Sequence, residues 1–484
     1  MSHQDHDGRT ASPFNFQALH KAILWLAQPL LLGSINFRAD CTWSPLGFIV
    51  TAMLWAWSDE NTLTGRFTAA RKICLKMLGT LALGNAKRPA ESYQAFMKMM
   101  RTWTESLVQQ VAAAFRKHMC EALRDRFKIA GFALFGIDGS RIELPRTASN
   151  EKGFAPRPPD REVPAGKRMR RRYRKLAKMR RARRRRGDEK KAKTPLMWLT
   201  TMWHIGTGLP WDWRLGPCDS VEREHLLEMI SCLPLLALVV ADAGFIGYEY
   251  WKALIDSNRH FLIRVGGNVH LLRALGYTRN ASGRVYLWPN HVAAKKLPPL
   301  ELRLVKVRRG KKTWYLVTSV LDRRRLSEKE VAQIYSWRWG IELFYRHFKQ
   351  TFGRRKLRSK SADNAVVEAH WSLLGLWAMA LHTQHVLAPH HIPARRISVA
   401  KLLRAYRKVM AQYKTRPDRG ESLTKMLRQA VTDTYTRSNK ASRDYPRKTQ
   451  PRAIGAPRIT RATRAQVKSA RQFKNTFARV RLTA

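Results

Sequence analysis

The sequence predicts a mixed α/β core that lies between helical N- and C-terminal regions. Two short apolar segments, residues 132–137 and 235–241, each run directly into an aspartate, as buried strands that end in a turn do. Residues 196–205 and 211–215 flank a Gly-Thr-Gly turn and predict a hairpin between those two strands. Because a hairpin interrupts the order, the core is mixed rather than a plain series of parallel β-α-β units.

The remaining elements follow from the spacing of apolar residues. Apolar positions at intervals of three and four predict helices, and short apolar runs bounded by turn residues predict strands. Ser327 and Glu330 have the spacing of a capping box, which marks the start of one continuous helix that reaches residue 352. The predicted helices are 14–32, 45–57, 90–126, 221–230, 246–257, 327–352, 362–387 and 399–413, with a further strand over 260–265 and a β-rich stretch over 266–319.

This order divides the chain into five parts. Residues 1–128 form a helical N-terminal region, and residues 129–265 form the first part of the core. A β-rich insertion over 266–312 follows, then the second part of the core over 313–388. Residues 389–484 form a C-terminal helical region with a basic tail. Within the first part of the core, more than half of segment 167–193 is Lys or Arg, so we expect it to be disordered or marginally helical in isolation.

The composition favours a polyanionic partner. The 484 residues include 91 Lys and Arg against 35 Asp and Glu, a formal charge of +56, while 44% hydrophobic residues supply ample core. So large a charge opposes compaction unless a polyanion neutralises it, and nucleic acid suits better than an anionic membrane, because the 16 Trp are not gathered on one amphipathic helix. The uncharged stretches 41–58 and 369–394 indicate buried helices rather than membrane spans. Five widely spaced cysteines without a Cys-x-x-Cys pair indicate a reducing compartment.

Two aspartates are candidates for metal chemistry. Asp138 and Asp242 each follow an apolar strand, and neighbouring strands would bring their carboxylates together. Two ionised carboxylates in contact repel each other, and a divalent cation is a common means of keeping both charged. Each aspartate alone can equally serve as the cap of a turn.

A third carboxylate lies on the helix that follows the β-rich stretch. At about 100° per residue, its polar residues fall on one narrow stripe, with apolar residues opposite that anchor the helix to a core. The stripe contains one carboxylate among three cations and a tyrosine, which suits a metal ligand flanked by phosphate-binding groups, although an exposed charged face would have the same spacing. Its members are Tyr335, Arg338, Glu342, Arg346 and Lys349, and the opposite face has Trp337, Ile341, Phe344 and Phe348.

These motifs together resemble the DDE transposases of the bacterial IS-Four family. Tyr335, Arg338, Glu342 and Lys349 match the family's Tyr-Arg-Glu-Lys signature, and the segments GIDGSRIELP and VVADAGF resemble those around its two catalytic aspartates. The resemblance extends from about residue 130 to residue 385. It implies an RNase H-like mixed sheet interrupted by a β-rich insertion, and an enzyme that cuts transposon ends and joins them to target DNA.

The resemblance also implies a metal centre. Asp138, Asp242 and Glu342 would be the catalytic residues and the ligands of two Mg²⁺ or Mn²⁺ ions, with Asp138 bridging and the other two each binding one ion. Phosphodiester exchange requires an activated nucleophile and a neutralised leaving oxygen, which two ions supply. Oxygen ligands without His or Cys favour Mg²⁺ or Mn²⁺ over Zn²⁺.

The family pattern further implies DNA-contacting residues and partners. Tyr335, Arg338, Lys349 and Arg346 would contact phosphates. Trp314 resembles a tryptophan that stacks on a flipped base in relatives that form a DNA hairpin, although a strand Trp also packs in a core. Arg264 resembles a DNA-contacting arginine, although a plain surface role suits it nearly as well.

The whole protein is therefore expected to bind transposon-end and target DNA through its N-terminal region. By the same resemblance it pairs as a homodimer through its C-terminal helices, works in the bacterial cytoplasm at the nucleoid, and has no membrane partner. Segment 167–193 departs from the family pattern and is expected to make non-specific contacts with nucleic acid. Two alternatives remain, a catalytically inactive DNA-binding remnant and a simple nuclease of the same fold.

Overall fold

A computed structural model describes most of the chain. The described residues are 14–27, 37–38, 40–80, 89–154, 195–275, 283–309, 312–415, 422–432 and 455–473. The basic segment 167–193 lies outside them, so its expected contacts with nucleic acid stay a prediction. No helix among the described residues combines the length and the apolar character needed to cross a lipid bilayer.

A single mixed sheet of ten strands forms the centre of the molecule. In the order β10-β6-β7-β8-β9-β5-β4-β1-β2-β3, each strand is hydrogen-bonded to its neighbours. The strands are β1 (Leu134–Glu143), β2 (Leu196–His204), β3 (Leu209–Gly216), β4 (Leu238–Ala241), β5 (His260–Val265), β6 (His270–Arg273), β7 (Arg284–Leu287), β8 (Leu300–Arg309), β9 (Lys312–Thr318) and β10 (Arg458–Arg461).

Helices lie before, between and after these strands. They are α1 (Phe14–Ala27), α2 (Pro45–Trp57), α3 (Leu63–Thr80), α4 (Tyr93–Ala122), α5 (Arg124–Phe127), α6 (Ala148–Phe154), α7 (Glu222–Met229), α8 (Tyr248–Asp256), α9 (Asn290–Ala294), α10 (Glu328–Trp337), α11 (Gly340–Arg346), α12 (Ala362–Leu387), α13 (Val399–Thr415), α14 (Leu423–Arg428) and α15 (Arg464–Ala470). The predicted mixed α/β class with flanking helices is confirmed.

The core strands have the predicted RNase H-like arrangement. The antiparallel hairpin of β2 and β3 lies on one side of β1, and the parallel strands β4 and β5 lie on the other. The strands of the β-rich stretch do not form a separate sheet, because β9 pairs antiparallel with β5 and carries β8, β7 and β6 outward from the same sheet. Strands that pair edge to edge leave the C-terminal ends of β1 and β4 side by side in the middle.

Two predicted boundaries were wrong. The first strand does not end before Asp138 but continues to Glu143, because β2 pairs with it beyond the point where the parallel partner β4 stops. The helix predicted over 327–352 is broken at Arg338 and Trp339, where the backbone bonds shorten to the i→i+3 type, and it ends in a turn of π-helix over His347–Thr351. The capping box of Ser327 and Glu330 is confirmed.

Close packing against a tryptophan accounts for the break. A Cβ placed on Gly340, the first residue of α11, would lie 2.0 Å from the ring of Trp203 on β2. Only glycine allows the helix to approach the sheet so closely. The break therefore lets α11 pack on the sheet at the point where Glu342 faces the aspartates.

The helical regions pack onto this sheet through one continuous apolar core. Helix α12 is central, with Trp371 and Trp377 fully buried and contacts to α2, α4 and α13. The Trp57 indole of α2 donates a hydrogen bond of 2.8 Å to the Gly375 carbonyl of α12. The stretches 41–58 and 369–394 are therefore largely buried helix, as predicted.

The β2–β3 turn contains a histidine that must stay neutral. His204 is completely buried, its Nε2 lies 3.0 Å from the Phe127 carbonyl, and its Nδ1 lies 3.2 Å from the Thr207 backbone nitrogen. A carbonyl only accepts and a backbone N–H only donates, so Nε2 carries the proton and Nδ1 accepts. Burial lowers the pKa of His204 to about 4.

Acidification is therefore expected to destabilise the fold through His204. Its folded pKa lies below the unfolded value of about 6.5, so its stabilising effect is complete above that value and is lost as the pH falls. Between pH 7.5 and pH 5 this loss amounts to about 2 kcal/mol of unfolding free energy. Urea denaturation of the native chain and of His204→Gln at both pH values measures it. Equal losses in the two proteins would contradict the prediction.

Candidate functional site

The site begins with two aspartates on neighbouring parallel strands. Strand β1 pairs with β4 so that Gly136 lies beside Val240, and Asp138 and Asp242 are each two residues further along. The Asp138 carboxylate accepts a hydrogen bond of 2.9 Å from the Gly139 N–H, and Asp242 accepts one of 2.8 Å from the Gly244 N–H. The register therefore places the two carboxylates at one edge of the paired segment, with Asp138 inside its strand and Asp242 just beyond its own.

Glu342 is within electrostatic reach of both aspartates. Burial raises the pKa of Asp138 to about 6, and the negative charges of Asp242 and Glu342 raise it further against the opposing Gly139 N–H and Arg338. Burial likewise raises the pKa of Glu342, with Arg338 opposing and Asp242 adding to the rise. The structure thus gathers the three predicted carboxylates from two strands and one helix.

A cationic and aromatic cluster lies beside these carboxylates. Arg338 is buried, its Nη2 is 3.7 Å from Glu342 Oε1, and its guanidinium lies 5.7 Å from the ring centre of Tyr335. The ring of Trp314, on β9, meets the Tyr335 ring edge to face at 5.4 Å. Burial raises the pKa of Tyr335, while the positive charges of Arg338 and Arg264 lower it. These residues come from a helix and the two strands β5 and β9.

The last two predicted residues lie further along the broken helix. Lys349 is half-buried and donates a hydrogen bond of 2.6 Å to the Ser140 hydroxyl, two residues beyond Asp138. Burial lowers the pKa of Lys349. Arg346 is exposed at the end of α11, and within the described part of the chain no hydrogen bond or ion pair joins it to the other site residues.

A buried tyrosine that the sequence analysis missed links the Glu342 helix to the Asp138 strand. The Tyr345 hydroxyl donates a hydrogen bond of 2.6 Å to the Asp138 carbonyl and accepts one of 3.2 Å from the Thr201 N–H on β2. Burial raises the pKa of this phenol well above its usual value, so it stays protonated as the donor. An aromatic residue three positions after Glu342 gave no signal beyond that of an ordinary core residue.

Replacing Tyr345 by Phe is expected to lower the free energy of unfolding by about 1–3 kcal/mol. The change leaves the Asp138 carbonyl and the Thr201 N–H buried without their hydrogen-bond partner. Tyr250→Phe is the matched control, because in the described residues no hydrogen bond involves that hydroxyl. Chemical denaturation measures both variants, and an unchanged stability for Tyr345→Phe would contradict the assigned role.

Glu222, at the start of α7, is a fourth carboxylate that the sequence analysis missed. A Cβ placed on Gly139 would lie 2.3 Å from Glu222 Oε1, so the carboxylate lies against the backbone next to Asp138. Burial raises the pKa of Glu222 to about 7, and the charges of Asp138 and Asp242 raise it further against Arg223. Nothing in the spacing of the carboxylates on α7 distinguishes Glu222, and the glycine after Asp138 is the one signal that a close contact was present.

The donor set suits a hard divalent cation. Asp138, Asp242, Glu222 and Glu342 offer carboxylate oxygens alone, and burial with mutual repulsion disfavours their charged forms, a cost that a cation offsets. As the side chains stand, no three His, Cys, Asp or Glu among the described residues form a ready metal cluster, and Glu342 faces Arg338. The residues therefore match Mg²⁺ or Mn²⁺ in chemistry.

Comparison with known proteins gives three likenesses. Residues 136–378, about half of the chain, match the family model described as the transposase DDE domain. Over 184 residues the chain is 32% identical to the transposase InsG for insertion sequence element IS4 of Escherichia coli (strain K12), which covers 36% of this chain and 41% of that protein. The cryo-EM structure of a piggyBac transposase synaptic complex with hairpin DNA aligns with a TM-score of 0.39 at 11% identity, over 91% of this chain and 89% of that one.

Proposed function

Because the chain belongs to the transposase DDE domain family, we propose that it is a DNA transposase of an insertion sequence. It cuts transposon ends by phosphodiester hydrolysis and joins them to target DNA by strand transfer. One observation carries the proposal, namely the register that places Asp138 beside Asp242 with Glu342 in electrostatic reach of both. A matched region that includes all three carboxylates supports it.

Two divalent ions, Mg²⁺ or Mn²⁺, would be held by Asp138, Asp242 and Glu342, with Asp138 shared between them. When bound, such ions supply activation of the nucleophile and neutralisation of charge on the leaving oxygen. The carboxylates themselves remain charged in this environment only with nearby positive charge, which the raised pKa of Asp138 makes plain.

The cationic and aromatic residues position the DNA strand. Arg338 offers a bidentate guanidinium to a phosphate, with one side already packed on the Tyr335 ring. In this structure Arg338 also faces Glu342, so a phosphate that engages Arg338 would free the glutamate for the cation. Lys349, Arg346 and Arg264 add positive charge along the same strand, and the half-buried Trp314 provides an aromatic face for an unstacked base, which permits a hairpin route.

The rest of the chain provides recognition and pairing in this proposal. Residues 1–128 bind the transposon end, residues 129–265 and 313–388 form the catalytic core around the insertion 266–312, and the helices of 389–484 pair two copies in a synaptic homodimer. The basic segment 167–193 adds sequence-independent contacts to phosphate. The protein works in the bacterial cytoplasm on the nucleoid, without a membrane partner.

A reaction with the DNA that flanks the reading frame tests the proposal. Purified protein with Mg²⁺ is expected to cut this DNA at the borders of inverted repeats and to join a precut end to a target plasmid. Chelation with EDTA is expected to stop both reactions, and Mn²⁺ to restore them. The products are measured on sequencing gels.

The same assay separates the two alternatives. An inactive remnant would bind the end DNA without cutting it, and a simple nuclease would cut without joining the precut end. Either result would overturn the proposed function. The three retained carboxylates favour an active enzyme over a remnant, because loss of any one would be expected in a decayed relative.

A further inference from the structure

The carboxylate of Glu222 spans the backbone between the two aspartates. One of its oxygens, Oε1, would meet a Cβ on Gly139 at 2.3 Å, and the other, Oε2, would lie 3.9 Å from a Cβ on Gly244. The same Gly244 position is 2.9 Å from Asp242 Oδ1. Since Gly139 adjoins Asp138 and Gly244 follows Asp242, the Glu222 carboxylate lies in the gap between the two acidic turns.

Two glycines make room for this carboxylate. Any side chain at Gly139 would collide with Glu222 Oε1 and with the Trp198 ring at 2.7 Å, so the strand tolerates no larger residue while Glu222 is in place. Helix α7 begins at Glu222 directly after the β2–β3 hairpin, which fixes the side chain over β1. The position is thus built by the fold, on an element separate from those of the three predicted carboxylates.

No protein group compensates the charge of Glu222. Within the described residues no hydrogen bond or ion pair is made by its carboxylate, although the side chain is half-buried and faces two aspartates. A partly buried carboxylate without a partner is costly, and carboxylates kept in one place usually share a cation. The arrangement therefore lacks a positive charge at the point where the proposed function places one.

We propose that Glu222 is a fourth carboxylate of the divalent-cation site, acting with Asp138 and Asp242. The inference rests on the proposed function and extends its ligand set to a residue of α7. Its ligand class is a hard cation, Mg²⁺ or Mn²⁺, because the added donors are again carboxylate oxygens. Glu222 also supplies the donor nearest the aspartates while Glu342 is engaged by Arg338.

Calorimetric titration of the full chain with Mn²⁺ tests the inference without reference to activity. Glu222→Gln is expected to weaken Mn²⁺ binding about tenfold or more, in the range seen when groups around a metal are removed. Glu224→Gln is the matched control, because Glu224 is exposed on the same helical turn, and its affinity should equal that of the native chain.

Thermal melting in EDTA provides a second readout. Removal of one of several mutually repelling carboxylates should raise the midpoint for Glu222→Gln, whereas loss of a purely structural contact would lower it. Native binding of Mn²⁺ together with unchanged binding by Glu222→Gln, or a lowered midpoint with unchanged binding, would overturn the inference alone. Failure of the native chain to bind Mn²⁺ would instead overturn the metal centre of the proposed function, and the inference with it.

Discussion

Replacing Glu342 by Gln is expected to lower the rate of end cleavage by about 10³-fold or more. Glu342 is the one predicted ligand on a helix, opposite the two strand aspartates, and its charge acts on both. Neutralisation removes a ligand from the metal centre, which contributes several kcal/mol to transition-state stabilisation. The affinity for end DNA should remain within about twofold, because the phosphate-binding cations are unchanged.

Single-turnover cleavage and a gel-shift titration measure the two effects separately. Glu328→Gln is the control, because this exposed glutamate lies in the first turn of α10 and should leave both measurements unaltered. Cleavage by Glu342→Gln at the native rate would show that this carboxylate is not part of the chemistry.

Replacing Glu368 by Ala is expected to lower the free energy of unfolding by about 3–5 kcal/mol. The Glu368 carboxylate is 1% exposed and accepts hydrogen bonds of 2.9 and 2.8 Å from the backbone and hydroxyl of Ser359. Its charge also raises the pKa values of Arg66 and Arg354, which burial lowers to about 10 and about 9. Without Glu368, two buried guanidiniums lose their main compensating charge.

The effect matters because this cluster joins the helices to the core behind the site. Arg354 donates to the Ala56 carbonyl at the end of α2 and to the Ser372 hydroxyl of α12. Guanidinium denaturation should place Glu368→Gln between the native chain and Glu368→Ala, since the amide retains an acceptor but not the charge. Asp363→Ala, an exposed acidic residue of the same helix, should cost less than about 1 kcal/mol. A small effect of Glu368→Ala would contradict the account of this cluster.

The sequence predicted the parts of the site that periodicity and short-range order determine. Asp242 follows a run of apolar residues, and Tyr335, Arg338 and Glu342 recur at helical spacing, so their shared location could be inferred. Ile341, Phe344 and Phe348 are buried on the opposite face, as predicted. These features depend on the local chain alone.

The parts that were wrong or missed depend on contacts between distant segments. Asp138 lies inside β1 because β2 extends the pairing, and the break before α11 depends on the approach of Gly340 to Trp203. Tyr345 and Glu222 have unremarkable neighbours in the sequence and acquire their positions only when a helix is packed on the sheet. Tertiary packing therefore decided what local spacing left open.

Cleavage of the protein backbone by bound Fe²⁺ tests the central claim most directly. Fe²⁺ takes the place of Mg²⁺, and with ascorbate and peroxide it produces radicals that cut the chain next to the ligands, as peptide mapping by mass spectrometry shows. We expect cuts near Asp138, Asp242 and Glu342 together, all suppressed by excess Mg²⁺. Cuts at the two aspartates without one at Glu342, or no cut that Mg²⁺ suppresses, would contradict a shared metal centre.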